Sequence, residues 1–281
     1  MSATLAAFLA ETGHLLSATL GLEPRAARLE SRVLAAAALG VEPVWLITHD
    51  TDPLTREQLA TLSAASSRRL AGEPVAYILG QREFYGWTFQ VGPTTLIPRP
   101  ETEHLVEAAL ARGCRRARVL DIGTGSGCIA ITLNLERPDW RVTAVDISTE
   151  ALAMARANGA RLGCGVEWLA SDLFEALAGR TWDLIVSNPP YIAEADPHLD
   201  QGDVRFEPRG ALASGVDGLD AIRAIVKQAP AHLAPGGWLL LEHGYDQGEA
   251  VPALLAEAGF VEVFMERDLA GQPRVSGGRR P

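Results

Sequence analysis

From Arg118 onward, short runs of aliphatic and β-branched residues alternate with longer stretches whose apolar positions recur at helical spacing. The runs predict strands at Arg118 to Ile122, Val142 to Asp146, Val166 to Ala170, Leu184 to Ser187, Trp238 to Glu242 and Val261 to Glu266. Between them, helices are predicted at Cys128 to Arg137, Glu150 to Leu162, Leu219 to Leu233 and Glu249 to Ala258. Strand and helix in alternation make a mostly parallel sheet covered on both faces, an α/β doubly wound fold that binds ligands outside the carboxyl ends of its strands.

The first 72 residues carry a different pattern. Pro24 sits where a helix begins, Leu29, Val33 and Ala37 follow as an apolar stripe with Arg28 and Arg32 on another face, and Gly40 supplies a stop. Thr51-Asp52-Pro53 opens a second helical segment in which Leu59, Leu62 and Leu70 share a face, ending near Gly72. From Glu73 to Pro100, Tyr77-Ile-Leu-Gly80, Phe84-Tyr-Gly-Trp87, Phe89-Gln-Val91 and Gly92-Pro93 read as a hairpin or short strands. The expected division is a helical domain at 1–72, a connecting hairpin at 73–100 and the larger domain at 101–281.

A length of 281 residues accommodates two such domains, and 47% hydrophobic with 21% charged residues is the composition of a folded chain. The net charge of −10 argues against non-specific attraction to nucleic acid or anionic lipid. Cys114, Cys128 and Cys164 form no C-x-x-C pair, so neither a disulfide framework nor a zinc site is expected. The apolar start of the chain lacks a basic flank, and no apolar run approaches the ~20 residues of a membrane span. A cytoplasmic protein, monomeric by default and without a metal, is the expectation.

Two loops at strand ends carry candidate chemistry. Asp121-Ile-Gly-Thr-Gly-Ser-Gly127 joins the first strand of the larger domain to its helix. Gly123, Gly125 and Gly127 allow close backbone approach to a ligand, with Thr124 and Ser126 between them and a helix N-terminus facing it. The G-x-G-x-G spacing after an acidic residue departs from the dinucleotide fingerprint and suits a cationic ligand. Asp146 ends the next strand, where a carboxylate accepts from both hydroxyls of a ribose. Together these positions fit a nucleoside with a positively charged amino-acid tail, S-adenosylmethionine. Asp172 and Leu173, after the third strand, are candidates for the adenine slot, with an N-cap as the alternative for Asp172.

The second loop is Ser187-Asn188-Pro189-Pro190-Tyr191, at a strand end facing the expected methyl donor. A planar amide or amino-aromatic nitrogen is a poor nucleophile because its lone pair is delocalised, so an enzyme must orient it and polarise its N–H bonds. The Asn188 side-chain oxygen and the Pro189 carbonyl can each accept one hydrogen from such an NH₂ group. Pro189 and Pro190 bring no competing N–H and stiffen the loop, and Tyr191 offers an aromatic face for stacking. The residues thus predict an amino-nitrogen methyltransferase, with adenine, cytosine, guanine and glutamine acceptors all open.

Further segments sharpen this. Gly72-Glu-Pro-Val-Ala-Tyr77-Ile-Leu-Gly80, Phe84-Tyr-Gly86, Leu96-Ile-Pro-Arg-Pro-Glu-Thr-Glu103, the 121–127 loop and Asn188 to Tyr191 resemble the PrmC/HemK family of release-factor glutamine methyltransferases, as do Glu207-Pro208 and Arg274 to Arg280. The resemblance spans nearly the whole chain. It implies an amino-terminal helical bundle, a connecting β-hairpin and a Rossmann-like S-adenosylmethionine-dependent methyltransferase domain; because residues 1–71 show helical stripes but no ligand set, that bundle is expected to recognise the protein substrate. It also implies the acceptor, the glutamine of the Gly-Gly-Gln loop in class-1 peptide chain release factors, and S-adenosylhomocysteine as product, with no direct nucleic-acid or membrane partner. By position, Gly123 to Gly127, Asp146 and Leu173 would contact the donor, Asn188 to Tyr191 the glutamine, and Asn188 both. Arg99, Glu101 and Glu103 would either fix the connection between domains by ion pairs or border the donor pocket.

Overall fold

The structure, a computed structural model, describes residues 4–281. It divides into two compact units, Met1–Gly80 with Asp200–Phe206, and Gln81–Leu199 with Glu207–Pro281. Among the described residues no helix is long and apolar enough to cross a membrane.

The smaller unit is helical: α1 (Leu5–Leu20), α2 (Pro24–Leu39), α3 (Trp45–Thr48), α4 (Arg56–Leu70) and α5 (Val75–Leu79). Its ends are set by local chemistry. The Thr4 hydroxyl accepts from Ala7 N to start α1, Gly21 stops it in the left-handed region at φ 67°, and Thr55 and Gln58 form a reciprocal capping box on α4. That box places the start of α4 after Thr55, not at the Thr51-Asp52-Pro53 signal. Leu5, Leu9, Ala35, Ala36, Leu46 and Leu62 make the core.

Both apolar stripes expected for this unit are corrected. On α2, Leu29 is 63% and Val33 37% exposed, while Ala27, Ser31, Leu34, Ala35 and Ala36 face inward. On α4, Leu59 is exposed and the inward side is Leu62, Ser66 and Arg69. Small side chains let helices approach closely, so Ala and Ser occupy the interface where larger residues were expected. Arg69 is tolerated inside because Glu30 (2.7 Å) and Asp203 (2.8 Å) neutralise it and the Gly72 and Glu73 carbonyls accept from it. Through Asp203, the 200–206 segment joins this unit.

The larger unit begins with a hairpin, β1 (Gln81–Phe84) and β2 (Trp87–Gln90), turning at Tyr85 (φ 51°) and Gly86 (φ 75°). It continues through α6 (Glu103–Arg112), β3 (Arg118–Ile122), α7 (Cys128–Glu136), β4 (Arg141–Asp146), α8 (Thr149–Leu162), β5 (Glu167–Ala170), β6 (Trp182–Ser187), α9 (Asp220–His232), β7 (Leu233–Glu242), α10 (Ala250–Glu257), β8 (Val261–Arg267) and β9 (Pro273–Arg279). The sheet order is β5-β4-β3-β6-β7-β9-β8, and β9 alone runs antiparallel to its neighbours. This is the doubly wound, mostly parallel sheet that the alternation predicts.

Successive residues of the central strands enter opposite cores. Val119, Leu184, Val186 and Leu240 pack on one face, and Leu120, Ile185, Leu239 and Leu241 on the other. The division between units falls at Gly80 rather than at 72 and 100. Residues 75–79 form α5, while Phe84 and Phe89, rings 6.1 Å apart edge to face, are buried in the core of the larger unit and carry the hairpin with them. Two elements, α6 and β9, lie outside the predicted set. In β9 a Cβ at Gly277 would stand 2.7 Å from the Leu239 carbonyl, so glycine is what lets this strand approach β7.

Candidate active site

The strand order reverses between β3 and β6, and a cavity of about 420 Å³ lies at the carboxyl ends of β3, β4, β5 and β6. Its wall includes Gly123 and Gly125, Asp146, Asp172 and Leu173, and Asn188, Pro189 and Pro190. Two loops separated by more than 60 residues therefore face one space.

The glycine loop is pinned to its neighbours. Gly123 N and Thr124 N both donate to the Val145 carbonyl, at 2.9 and 3.0 Å, and Gly125 N donates to Asp146 Oδ2 at 2.8 Å. Gly123 (φ 72°) and Gly125 (φ 56°) hold left-handed conformations, and a Cβ at either would meet nothing within 4 Å. Glycine serves the backbone path there and leaves the wall bare. Thr124, Ser126 and Gly127 do not line the cavity. Thr124 turns inward and donates to Asp121 Oδ2 at 2.6 Å, Ser126 is buried, and a Cβ on Gly127 would crowd Ile131 and Ala155.

Asp121 is fully buried beneath the loop. Burial, with the Asp146 charge adding and the Thr124 hydroxyl opposing, pushes its carboxyl up to about 7. It therefore shapes the loop from below and stands outside the cavity wall. Asp146 accepts from Gly125 N through one oxygen and from Ser148 N through the other, at 2.9 Å. Each carboxylate oxygen has a second lone pair, so acceptor capacity is left toward the cavity. After β5, Ser171 is the residue that caps: its hydroxyl accepts from Ala176 N at 3.1 Å, leaving Asp172 exposed at the cavity. Leu173 lines the wall with φ 45°.

On the acceptor side, Ser187 Oγ donates to the Ile122 carbonyl at 2.8 Å, tying the end of β6 to β3. Asn188 Nδ2 donates to Thr102 Oγ1 at 3.1 Å, which leaves the Asn188 amide oxygen as its acceptor at the cavity. Tyr191 is not brought to the cavity wall. Its hydroxyl lies 3.5 Å from Glu242 Oε1 and its ring packs on the core, while its carbonyl accepts from Gln247 Nε2 at 3.0 Å. Burial, then the Glu242 charge, raise the Tyr191 phenol above its ordinary value, so it stays neutral. Burial also pushes Glu242 up to about 7. Among the described residues no group of His, Cys, Asp and Glu is arranged to hold a metal ion.

Residues 15–80 match the PrmC N-terminal domain model and residues 100–203 the methyltransferase small domain model. The release factor glutamine methyltransferase of Bordetella pertussis is 53% identical over 91% of this chain and 96% of its own length. The chain belongs to the release factor glutamine methyltransferase family. Solved structures add likeness of fold. A methyltransferase from Pyrococcus furiosus covers 78% of this chain and 98% of its own at TM-score 0.56 and 20% identity. A 16S rRNA methyltransferase from T. Thermophilus, solved with AdoMet and guanosine, covers 72% and 50% at TM-score 0.53 and 23% identity.

In this family member the Ile97-to-Glu103 segment ties the larger unit together. Ile97 N and Arg99 both bond the buried Glu207 carboxylate, and Glu103 Oε1 accepts from Tyr85 N at 2.8 Å. Neither Arg99, Glu101 nor Glu103 lines the cavity. Thr94 to Leu96 and the exposed Ile147 do line it, as do Pro208 and Ile225, although sequence reasoning did not select them. For Ile147 the signal was available: an aliphatic residue directly after the strand-ending acid. Glu242 carried no such signal, since only the pairing of β7 with β6 brings it to the Tyr191 hydroxyl, and nothing in the 96–103 segment marks Thr102 as the partner of Asn188.

Proposed function

We propose that this chain transfers a methyl group from S-adenosylmethionine to the side-chain amide nitrogen of the glutamine in the Gly-Gly-Gln loop of class-1 peptide chain release factors. The single observation that carries this reading is the Asn188 amide, whose NH₂ is engaged with Thr102 while its oxygen remains for an incoming NH₂ group. Family membership supports the acceptor, and the cavity supports the donor. The bare backbone at Gly123 and Gly125, the spare acceptor capacity of Asp146, and the wall of Ile147, Asp172 and Leu173 fit a nucleoside with a small cationic tail.

When bound, S-adenosylmethionine supplies an electrophilic methyl group. The chain's own residues orient the acceptor. Asn188 Oδ1 and the Pro189 carbonyl each accept one amide hydrogen, which orients the nitrogen toward the methyl group and, by polarising both N–H bonds, raises the electron density on it. Methylation acidifies that nitrogen, and the same carbonyls can direct its proton to water. Tyr191 supports the loop from behind. A single chain provides the whole wall, so a monomer suffices, acting in the cytoplasm. The exposed Leu29 and Val33 of the helical unit are a surface for gripping the release factor away from its glutamine loop.

The test is incubation of the protein with S-adenosylmethionine and an unmodified class-1 release factor, followed by peptide mass spectrometry of the Gly-Gly-Gln fragment. One added methyl group on the glutamine is expected. Donor binding without methylation of that fragment would overturn the acceptor assignment.

A further inference from the structure

The acceptor reading makes the rate of transfer depend on where one backbone group, the Pro189 carbonyl, is aimed. β6 ends at Ser187, paired with Leu241 of β7, so no sheet ladder fixes the loop beyond that point. Pro189 and Pro190 have no N–H with which to anchor themselves. The loop is held at its two ends instead. At the near end Ser187 Oγ donates to the Ile122 carbonyl. At the far end Ile192 N donates to the Leu212 carbonyl at 2.9 Å, and the Tyr191 carbonyl accepts from Gln247 Nε2 at 3.0 Å.

Gln247 lies buried in the turn after β7, and both ends of its amide meet backbone groups of fixed character. Its Oε1 accepts from Gly244 N at 3.0 Å, a group that can only donate. Its Nε2 faces the Tyr191 carbonyl and, at 3.5 Å, the Gly218 carbonyl, which can only accept. The amide therefore has one orientation. Gly218 packs so closely that a Cβ there would stand 2.2 Å from the Tyr191 oxygen and 2.9 Å from Gln247 Nε2, which leaves the pair no room to slide. Between the Tyr191 and Pro189 carbonyls the chain turns only through the torsions of Pro190 and Tyr191, and the Pro190 ring fixes one of these. Anchoring the first carbonyl restricts the second.

We propose that Gln247 is a positioning residue for methyl transfer: by holding the Tyr191 carbonyl from behind the cavity, it aims the Pro189 carbonyl at the acceptor amide. The proposal rests on the acceptor reading of the Asn188–Tyr191 loop. It assigns Gln247 to the rate of transfer and not to the affinity for donor or release factor.

The test uses the full chain with three substitutions. Gln247→Met keeps length and bulk and removes the amide, while Gln247→Asn keeps an amide but is too short to span Gly244 and Tyr191. Val142→Ala is the control: it opens a cavity in the core at the amino end of β4, away from the loop, and lowers the thermal midpoint. In both Gln247 variants kcat on the release factor is expected to fall about ten- to a hundredfold, the loss typical of a misplaced reacting group. KM for the release factor and Kd for S-adenosylmethionine should stay within about threefold, as should kcat in Val142→Ala. Labelling tyrosine with ¹³C at the carbonyl and isoleucine with ¹⁵N selects the two Tyr-Ile pairs of the chain, 77–78 and 191–192. Only the Tyr191 carbonyl resonance should move in the Gln247 variants. Parent-like kcat in either folded Gln247 variant, an equal loss in Val142→Ala, or an unmoved Tyr191 carbonyl would overturn the proposal. If the parent itself leaves the release factor unmethylated, the acceptor assignment fails, and the Tyr191 resonance still decides whether Gln247 holds the loop.

Discussion

Replacing Asp121 by Asn is expected to change stability with opposite sign at low and high pH. Asp121 lies fully buried on β3 with the Thr124 hydroxyl 2.6 Å from Oδ2, and burial raises its carboxyl from 3.8 to about 7. Because the folded state holds this proton to higher pH than the unfolded chain does, stability falls as pH rises between about 3.8 and about 7. At ~1.4 kcal/mol per pH unit, that window corresponds to a cost of ~4 kcal/mol for the ionised group at about pH 8. Asp121→Asn removes the charge, keeps the shape and still offers an oxygen to Thr124. Its new NH₂, buried, costs ~1–3 kcal/mol unless it finds an acceptor.

The variant should therefore be more stable than the parent by ~1–3 kcal/mol at about pH 8 and less stable by a similar amount at about pH 4, where the parent's carboxyl is still protonated in the folded state and little of the pH-dependent loss has accrued. Urea unfolding followed by tryptophan fluorescence measures this for the right part of the molecule, since every tryptophan except Trp45 lies in the larger unit. A difference of the same sign and size at both pH values would refute the reasoning, because it would mean that Asp121 does not titrate in the folded state over this range.

Asn188→Ala should leave the Kd for S-adenosylmethionine within about threefold while lowering turnover by at least ~100-fold, as isothermal titration and single-turnover methylation would show. Gly218→Ala should cost ~2–4 kcal/mol and lower the thermal midpoint, since Gly218 has φ 77° and its Cβ would stand 2.2 Å from the Tyr191 carbonyl; an unchanged midpoint would contradict this. Arg69→Met should cost ~2–3 kcal/mol, discounted for the solvent that reaches Asp203, and limited proteolysis should then cut within 200–206; an uncut segment would show that Asp203 is not what holds it.

Much of the larger unit is legible in its sequence for a physical reason. A strand buried on both faces must be apolar almost throughout, so β3, β4 and β6 announce themselves as aliphatic runs, and their alternation with helices leaves few topologies to choose from. In such a sheet, loops that follow parallel strands emerge at one end. The convergence of Gly123, Asp146, Leu173 and Asn188 on one cavity follows from chain order before any coordinate is known.

What the sequence does not determine depends on distant partners. Which face of α2 turns inward is undecided by a helix rich in alanine, and tertiary packing sends Leu29 out and Ser31 in. The glycine and arginine content of β9 hides a strand that exists because β7 and β8 pair with it. Arg69 looks like a surface cation until Glu30, 39 residues away, and Asp203, 134 residues away, compensate its burial. The same holds at the site. Asn188 and its loop are visible as a motif, but Thr102 is 86 residues from Asn188, and Glu242 51 residues from Tyr191. Hydrogen bonds over such separations leave no periodicity to read; they arise only when the sheet has assembled and the buried groups must find partners.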